Sequence, residues 1–121
     1  MKLLPLLLIC LCWIVGCSES QRNYYNNINE VKLDGAINRG WIPGILPASS
    51  FNIQETHNLD TNEGNGSFQF LESDESSFKK SLGEEIKAIN KENLANGSVY
   101  RWKNFIISVD WSNNKALFIL D

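Results

Sequence analysis

The sequence predicts an α+β fold, in which an antiparallel sheet of four or five strands packs on one main helix and a short N-terminal helix precedes the sheet. Two regions of alternating apolar and polar residues, each divided by a turn, predict two hairpins. Between them, from Ser73 to about Leu94, apolar residues recur with helical spacing. The order helix, hairpin, helix, hairpin therefore indicates a sheet with one face covered by the second helix.

The short helix is predicted from Ile28 to about Asn38. Asn27 followed by Glu30 is typical of a helix start, because both side chains can bond exposed backbone N–H groups there. Val31 is expected to face inward, with Gly40 at the end of the helix. The polar residues 18–27 lack a helical or strand period, and we interpret them as a tether.

The first hairpin is expected from Phe51 to Leu71, with its turn at residues 60–66. Along its first strand, alternation predicts one face with these residues: Ile53, Glu55, His57 and Leu59. The main helix is expected to bury the following stripe: Phe78, Leu82, Ile86 and Ile89. Gly83 lies inside that helix and is unfavourable there by about 1 kcal/mol relative to Ala.

Residues 99–111 and Lys115 to Leu120 are predicted to form the second hairpin, with a turn at 112–114. The last segment is apolar at successive positions, so both of its faces should be covered and it should lie centrally in the sheet. The tryptophans at positions 41, 102 and 111 are expected to fill the core.

The first residues have the properties of a cleaved signal, with Lys2 followed by an apolar run. That run is shorter than the roughly 20 apolar residues needed to cross a bilayer. It ends in I-V-G-C, residues 14–17, which resembles a bacterial lipobox. The resemblance implies cleavage after Gly16 and a diacylglycerol on the sulfur of Cys17. The expected organisation is a signal peptide at 1–16, a lipidated cysteine and tether at 17–27, and a single α+β domain at 28–121.

The net charge argues against one class of partner, and the cysteine positions argue against a disulfide. Removal of Lys2 with the signal lowers the net charge from −3 to −4, which argues against nucleic acid, whose binders carry a basic patch. Cys10 and Cys12 leave with the signal and Cys17 is acylated, so the mature domain is expected to form no disulfide. In the lipoproteins that the lipobox resembles, Ser18 rather than Asp after the cysteine implies the outer membrane, facing the periplasm, if the organism has one.

The motif R-G-W-I-P, followed by L-P-x-S, an isoleucine and H-x-x-D-T-N, is similar to a group of small uncharacterised bacterial lipoproteins. The residues that carry this resemblance are Arg39 to Pro43, Leu46, Pro47, Ser49, Ile53, His57, Asp60, Thr61 and Asn62. The resemblance covers Arg39 to Asn62. It implies an envelope location and a single domain, and it implies no activity.

His57, the single histidine, shares its predicted strand face with Glu55, and Asp60 follows closely. An imidazole beside a carboxylate can act as an acid and base pair. It can also be a core histidine whose ring nitrogens are satisfied by Glu55 or Asp60. The calcium-loop pattern that starts at Asp60 has Leu71 where glutamate is required, so a plain turn is the better interpretation. No metal site and no cofactor are expected.

The predicted function is a lipid-anchored cell-envelope protein, non-catalytic, that binds an unknown envelope protein or supports an assembly. One alternative is an envelope hydrolase that uses Glu55, His57 and Asp60. Another is an inhibitor of an envelope-attacking enzyme, with a protruding loop that enters the foreign active site. The sequence does not rank the first against the last.

Overall fold

The computed structural model describes residues 20–87 and 97–121, which form one antiparallel sheet with short helices on one of its faces. The strands and α-helices, in chain order, are β1 Ser20–Asn27, α1 Ile28–Asp34, β2 Phe51–Asn58, β3 Glu63–Gln69, α2 Glu75–Leu82, β4 Ser98–Trp102, β5 Phe105–Asp110 and β6 Lys115–Leu120. A 3₁₀ turn at Glu72–Asp74 leads into α2.

The six strands lie in the order β1-β2-β3-β6-β5-β4. Two antiparallel meanders, β1 to β3 and β4 to β6, are therefore joined where β3 pairs with β6. The central position predicted for Lys115–Leu120 is confirmed, since β6 has a hydrogen-bonded neighbour on each side. Both meanders place alternate residues on the face that the helices cover.

The predicted fold class is wrong in two respects: the sheet has six strands rather than four or five, and within residues 20–87 and 97–121 no main helix covers it. The helix expected to reach Leu94 ends at Leu82, because Gly83 takes a positive φ of 77° that is incompatible with a continuing right-handed helix. Ile86 lies beyond it, and its backbone N–H donates to the Val99 carbonyl at 2.8 Å. Ile89 and the rest of the predicted helix lie outside the described residues.

The tether interpretation is also wrong for residues 20–27, which form β1 at the edge of the sheet. β1 pairs with β2 along its length, from Ser20 opposite Asn58 to Asn27 opposite Phe51. The alternation that would have indicated a strand is absent from the sequence because most β1 side chains are exposed, and Tyr25 is the one that becomes buried. An edge strand needs few apolar residues, since its pairing comes from the backbone.

Helix α1 begins as predicted and ends earlier than predicted. The Asn27 side chain accepts a hydrogen bond from the Glu30 N–H at 3.0 Å, which confirms the cap. Glu30 in turn accepts from the backbone N–H of Asn26 at 2.7 Å, one residue before the position in the strict capping box. Gly35 ends the helix in the left-handed conformation, with φ of 73°.

The core lies between one face of the sheet and the layer made by α1, the segment 36–50 and α2. Phe78 and Leu82 of α2 are buried, and the Phe78 ring lies 5.8 Å from that of Phe68 on β3. From the segment 36–50, Ile42 is 1% exposed. Trp41, Trp102 and Trp111 pack against this core and remain partly exposed.

Candidate functional site

Glu55 and His57, the buried pair, lie on the inward face of β2, as the alternation predicts. Their exposed fractions are 0% and 3%. The Nδ1 atom of His57 is hydrogen-bonded to Oε1 of Glu55 in a short contact between the two side chains. Two residues apart on a strand, the side chains point to the same face, and this spacing makes the contact possible.

Glu55 has a second partner on the edge strand. Asn23 lies directly opposite it in the β1/β2 register, and its Nδ2 donates to Oε2 of Glu55 at 2.9 Å. Both carboxylate oxygens therefore accept a hydrogen bond, which offsets the cost of burying the carboxylate.

Trp41 covers the imidazole from the loop side. The indole and imidazole rings are stacked at 3.7 Å between centroids, with 14° between their planes. The Arg39 guanidinium lies 5.0 Å from the Trp41 ring centroid, and it also lies 3.8 Å from Asp34. The segment after α1 thus seals His57 with an aromatic ring and places a cation beyond it.

Asp34, which lies beside Arg39, also connects the end of α1 to Tyr25 of β1. The Tyr25 hydroxyl donates to Asp34 Oδ2 at 2.5 Å. Burial raises the pKa of Tyr25 well above its ordinary value of 10.0, and the hydrogen bond to the Asp34 carboxylate and the nearby negative charges raise it further. Tyr25 is accordingly neutral and anchors the end of α1 to the edge strand.

The second ring nitrogen of His57 decides what the pair can do chemically. Nε2 is buried and has no hydrogen-bond partner. A general base must have its nitrogen within hydrogen-bond reach of the substrate proton. Here the face of the ring lies against Trp41 and Nε2 has no exposed surface, so the pair has the composition of a catalytic dyad without access to a substrate.

Asp60 is not brought to the buried pair. It lies exposed in the turn between β2 and β3, where its backbone N–H donates to Oδ1 of Asn58 at 3.0 Å. Leu59, which the alternation places beside His57, is 65% exposed because β2 ends at Asn58. The sequence prediction missed Asn23, since residues 18–27 were interpreted as a tether. The R-G-W-I-P motif includes Trp41, but it did not indicate that Trp41 stacks on His57.

Within residues 20–87 and 97–121, no group of three or more His, Cys, Asp and Glu side chains is placed to hold a metal ion. In the same part of the chain, no helix is long and apolar enough to cross a membrane. Cys17, the predicted lipidation site, lies outside the described residues.

Comparison with known families matches the N-terminal part of the chain. A family described as the YbbD head domain matches residues 19–69, which is less than half of the chain. This range runs from β1 to the end of β3, so it holds Asn23, Trp41 and the buried pair together. No curated protein and no solved structure matches the chain significantly.

Proposed function

We propose that this protein is a lipid-anchored cell-envelope protein that acts as a non-catalytic binding or assembly module. The observation that carries the non-catalytic part is the burial of Glu55 and His57, which are 0% and 3% exposed beneath Trp41. The residues with the chemistry of an acid and base pair hold β1, β2 and the following loop together. Their hydrogen bonds serve the fold.

The anchor is supported by the lipobox resemblance at residues 14–17. The position of β1 limits how far the folded domain can lie from the lipidated cysteine. β1 starts at Ser20, three residues after Cys17. Three residues reach at most about 11 Å. A lipidated Cys17 would therefore hold the start of the edge strand against the membrane surface, and a partner would have to come to the leaflet to be bound.

The anchor is tested with Cys17→Ser in cells fed a clickable palmitate analogue. We expect loss of the label and accumulation of uncleaved precursor, because only a thiol forms the thioether that the processing route requires. Ser18→Ala is the matched control and should label like the wild type. A labelled, cleaved Cys17→Ser protein would contradict the lipid anchor.

The hydrolase alternative is tested with Asp60→Asn. Asp60 is exposed in a turn, so the substitution should leave stability within about 0.5 kcal/mol of the wild type. A hydrolase that uses this carboxylate would lose its function in cells, whereas a binding module with a structural buried pair would keep it. Thermal stability and complementation of a deletion strain, measured on the same variant, separate the two. A stable Asp60→Asn protein that fails to complement would favour the hydrolase.

A further inference from the structure

The sheet face opposite the core forms a polar surface over β1, β2 and β3. In the strand register, Tyr24 lies opposite Gln54, and Gln54 lies opposite Ser67. Gln69 and Lys115 form the neighbouring pair across β3 and β6. All of these positions alternate with residues that face the core, so their side chains share the outer face. A cavity of about 250 Å³ opens among them.

The side chains at this cavity are hydrogen-bonding groups without negative charge. Gln54, Ser67, Gln69 and Asn52 offer amide and hydroxyl groups, and Lys115 is the single charged residue in the lining. Tyr24 is 63% exposed, although it is a large aromatic residue at the edge of the cavity. Amides and hydroxyls that both donate and accept, beside an exposed aromatic ring, match the surface of a sugar better than that of an ion.

Two features fix the shape of this surface before any ligand arrives. Asn52 takes a positive φ of 47° at the point where the β2/β3 register shifts, which is a β-bulge. Its Nδ2 donates to Oε1 of Gln69 at 2.8 Å, so the two amides are held across the strands. The carbonyl oxygen of Asn52 and the amino group of Gln69 then remain for a ligand.

We propose that this cavity binds an uncharged oligosaccharide that carries hydroxyl and amide groups, such as a chain of N-acetylated hexosamines. From Tyr24 on β1 to Lys115 on β6 the surface crosses four strands, about 14 Å at the usual strand spacing. That length accommodates a short oligosaccharide lying across the strands, with one sugar ring on Tyr24. The inference deepens the proposed function, on which it rests for a non-catalytic binding role, by naming the class of ligand.

A protein partner fits this surface less well. Binding hot spots between proteins are desolvated apolar anchors in well-packed pockets. The outer face of β1 to β3 carries Arg22, Tyr24, Gln54, Thr56 and Ser67, and Tyr24 is the only large aromatic residue among them. An apolar peptide that bound here would leave most of these amides and hydroxyls facing apolar side chains.

The test is calorimetric titration of the full chain, purified in a detergent without sugar headgroups, with a β-1,4-linked tetramer of N-acetylglucosamine. We expect saturable binding that does not change between low and high salt, because the ligand is uncharged. Tyr24→Ala should weaken the affinity about tenfold, by loss of stacking. Gln54→Ala should weaken it about two- to tenfold, the cost of one neutral hydrogen bond.

Leu33→Ala is the matched control, since Leu33 is 88% exposed on α1 and away from the strands. It should bind like the wild type. Absence of saturable binding, or equal affinity in Tyr24→Ala and the control, would overturn the proposal. Saturable binding of an anionic oligosaccharide that is lost in Lys115→Gln and at high salt, with no binding of the neutral tetramer, would overturn the neutral character of the ligand. These outcomes are independent of palmitate labelling at Cys17, so failure here and failure of the anchor are distinguishable.

Discussion

The most informative substitutions are His57→Gln and His57→Asn, because the two amides mimic different ring nitrogens. The amide of Asn lies near the position of Nδ1, the nitrogen bonded to Glu55, and can still donate to that carboxylate. The amide of Gln lies near the position of Nε2, which has no partner. Both variants lose the stack with Trp41, so their difference isolates the hydrogen bond to Glu55.

The magnitude follows from the burial of Glu55. In His57→Gln, Glu55 keeps Asn23 as a donor and loses its second one, while its exposed fraction is 0%. A hydrogen bond to a buried charged group contributes about 1.5 to 3 kcal/mol. We expect His57→Gln to be less stable than His57→Asn by that amount, which corresponds to roughly 10 °C in the midpoint of thermal unfolding for a domain of this size.

The assay is urea unfolding followed by tryptophan fluorescence, with both variants and the wild type compared at one pH. Glu55→Gln, made both in the wild type and in the His57→Gln background, completes a double-mutant cycle. In the His57→Gln background, Gln at position 55 should destabilise the fold less than Glu, because a buried neutral amide needs its hydrogen bonds less than a buried carboxylate does. Equal stability of His57→Gln and His57→Asn would refute the assignment of the Glu55 contact as a structural hydrogen bond.

Four further predictions follow, each read as a change in the free energy of unfolding. Trp41→Ala should lower stability by less than about 3 kcal/mol, the lower limit for a fully buried Trp, because Trp41 is only partly buried. Gly66→Ala should cost about 1 to 3 kcal/mol by overpacking, since its Cβ would overlap the backbone oxygen of Gln54 and the Phe118 ring. Gly64→Ala, whose nearest contacts would be 3.7 Å away, is the control. Tyr25→Phe should reduce the loss of stability at alkaline pH. The raised pKa of Tyr25 gives the wild type a contribution to stability that is full below pH 10.0 and is lost as the pH rises above it. Asp74→Asn should reduce the loss of stability at acid pH. Hydrogen bonds from Ser49 hold the pKa of Asp74 below 3.8, so the wild type has a contribution to stability that is lost as the pH falls through the folded-state pKa.

The parts of the fold that could be predicted are those in which burial alternates along the chain. Phe51–Asn58 and Lys115–Leu120 both form strands where the pattern indicates them. In β2 the alternate residues Ile53, Glu55 and His57 are buried, and in β6 Ala116 and Phe118 are buried. β3 begins at Glu63, inside the predicted turn. Its glycines suggest a turn in the sequence, but in the sheet Gly66 provides space for the Phe118 ring of β6.

The parts that could not be predicted depend on distant contacts. β1 buries one side chain and is held in the sheet by pairing with β2. The local sequence has no pattern that indicates this pairing. The helical spacing beyond Leu82 continues in the sequence although Gly83 turns the backbone away. At the site, local spacing brings Glu55 to His57, whereas Asn23 and Trp41 arrive from segments 32 and 16 positions away from Glu55 and His57, respectively.

Modification of His57 by diethylpyrocarbonate tests the central claim, that the acid and base pair is sealed and structural, most directly. The chain has one histidine, so the absorbance change reports that ring alone. Because Nε2 is buried and Trp41 covers the ring, the native protein should remain unmodified while the urea-unfolded protein takes up one equivalent. Stoichiometric modification of the native protein, at a rate similar to that of the unfolded chain, would place the imidazole in contact with solvent and contradict the account.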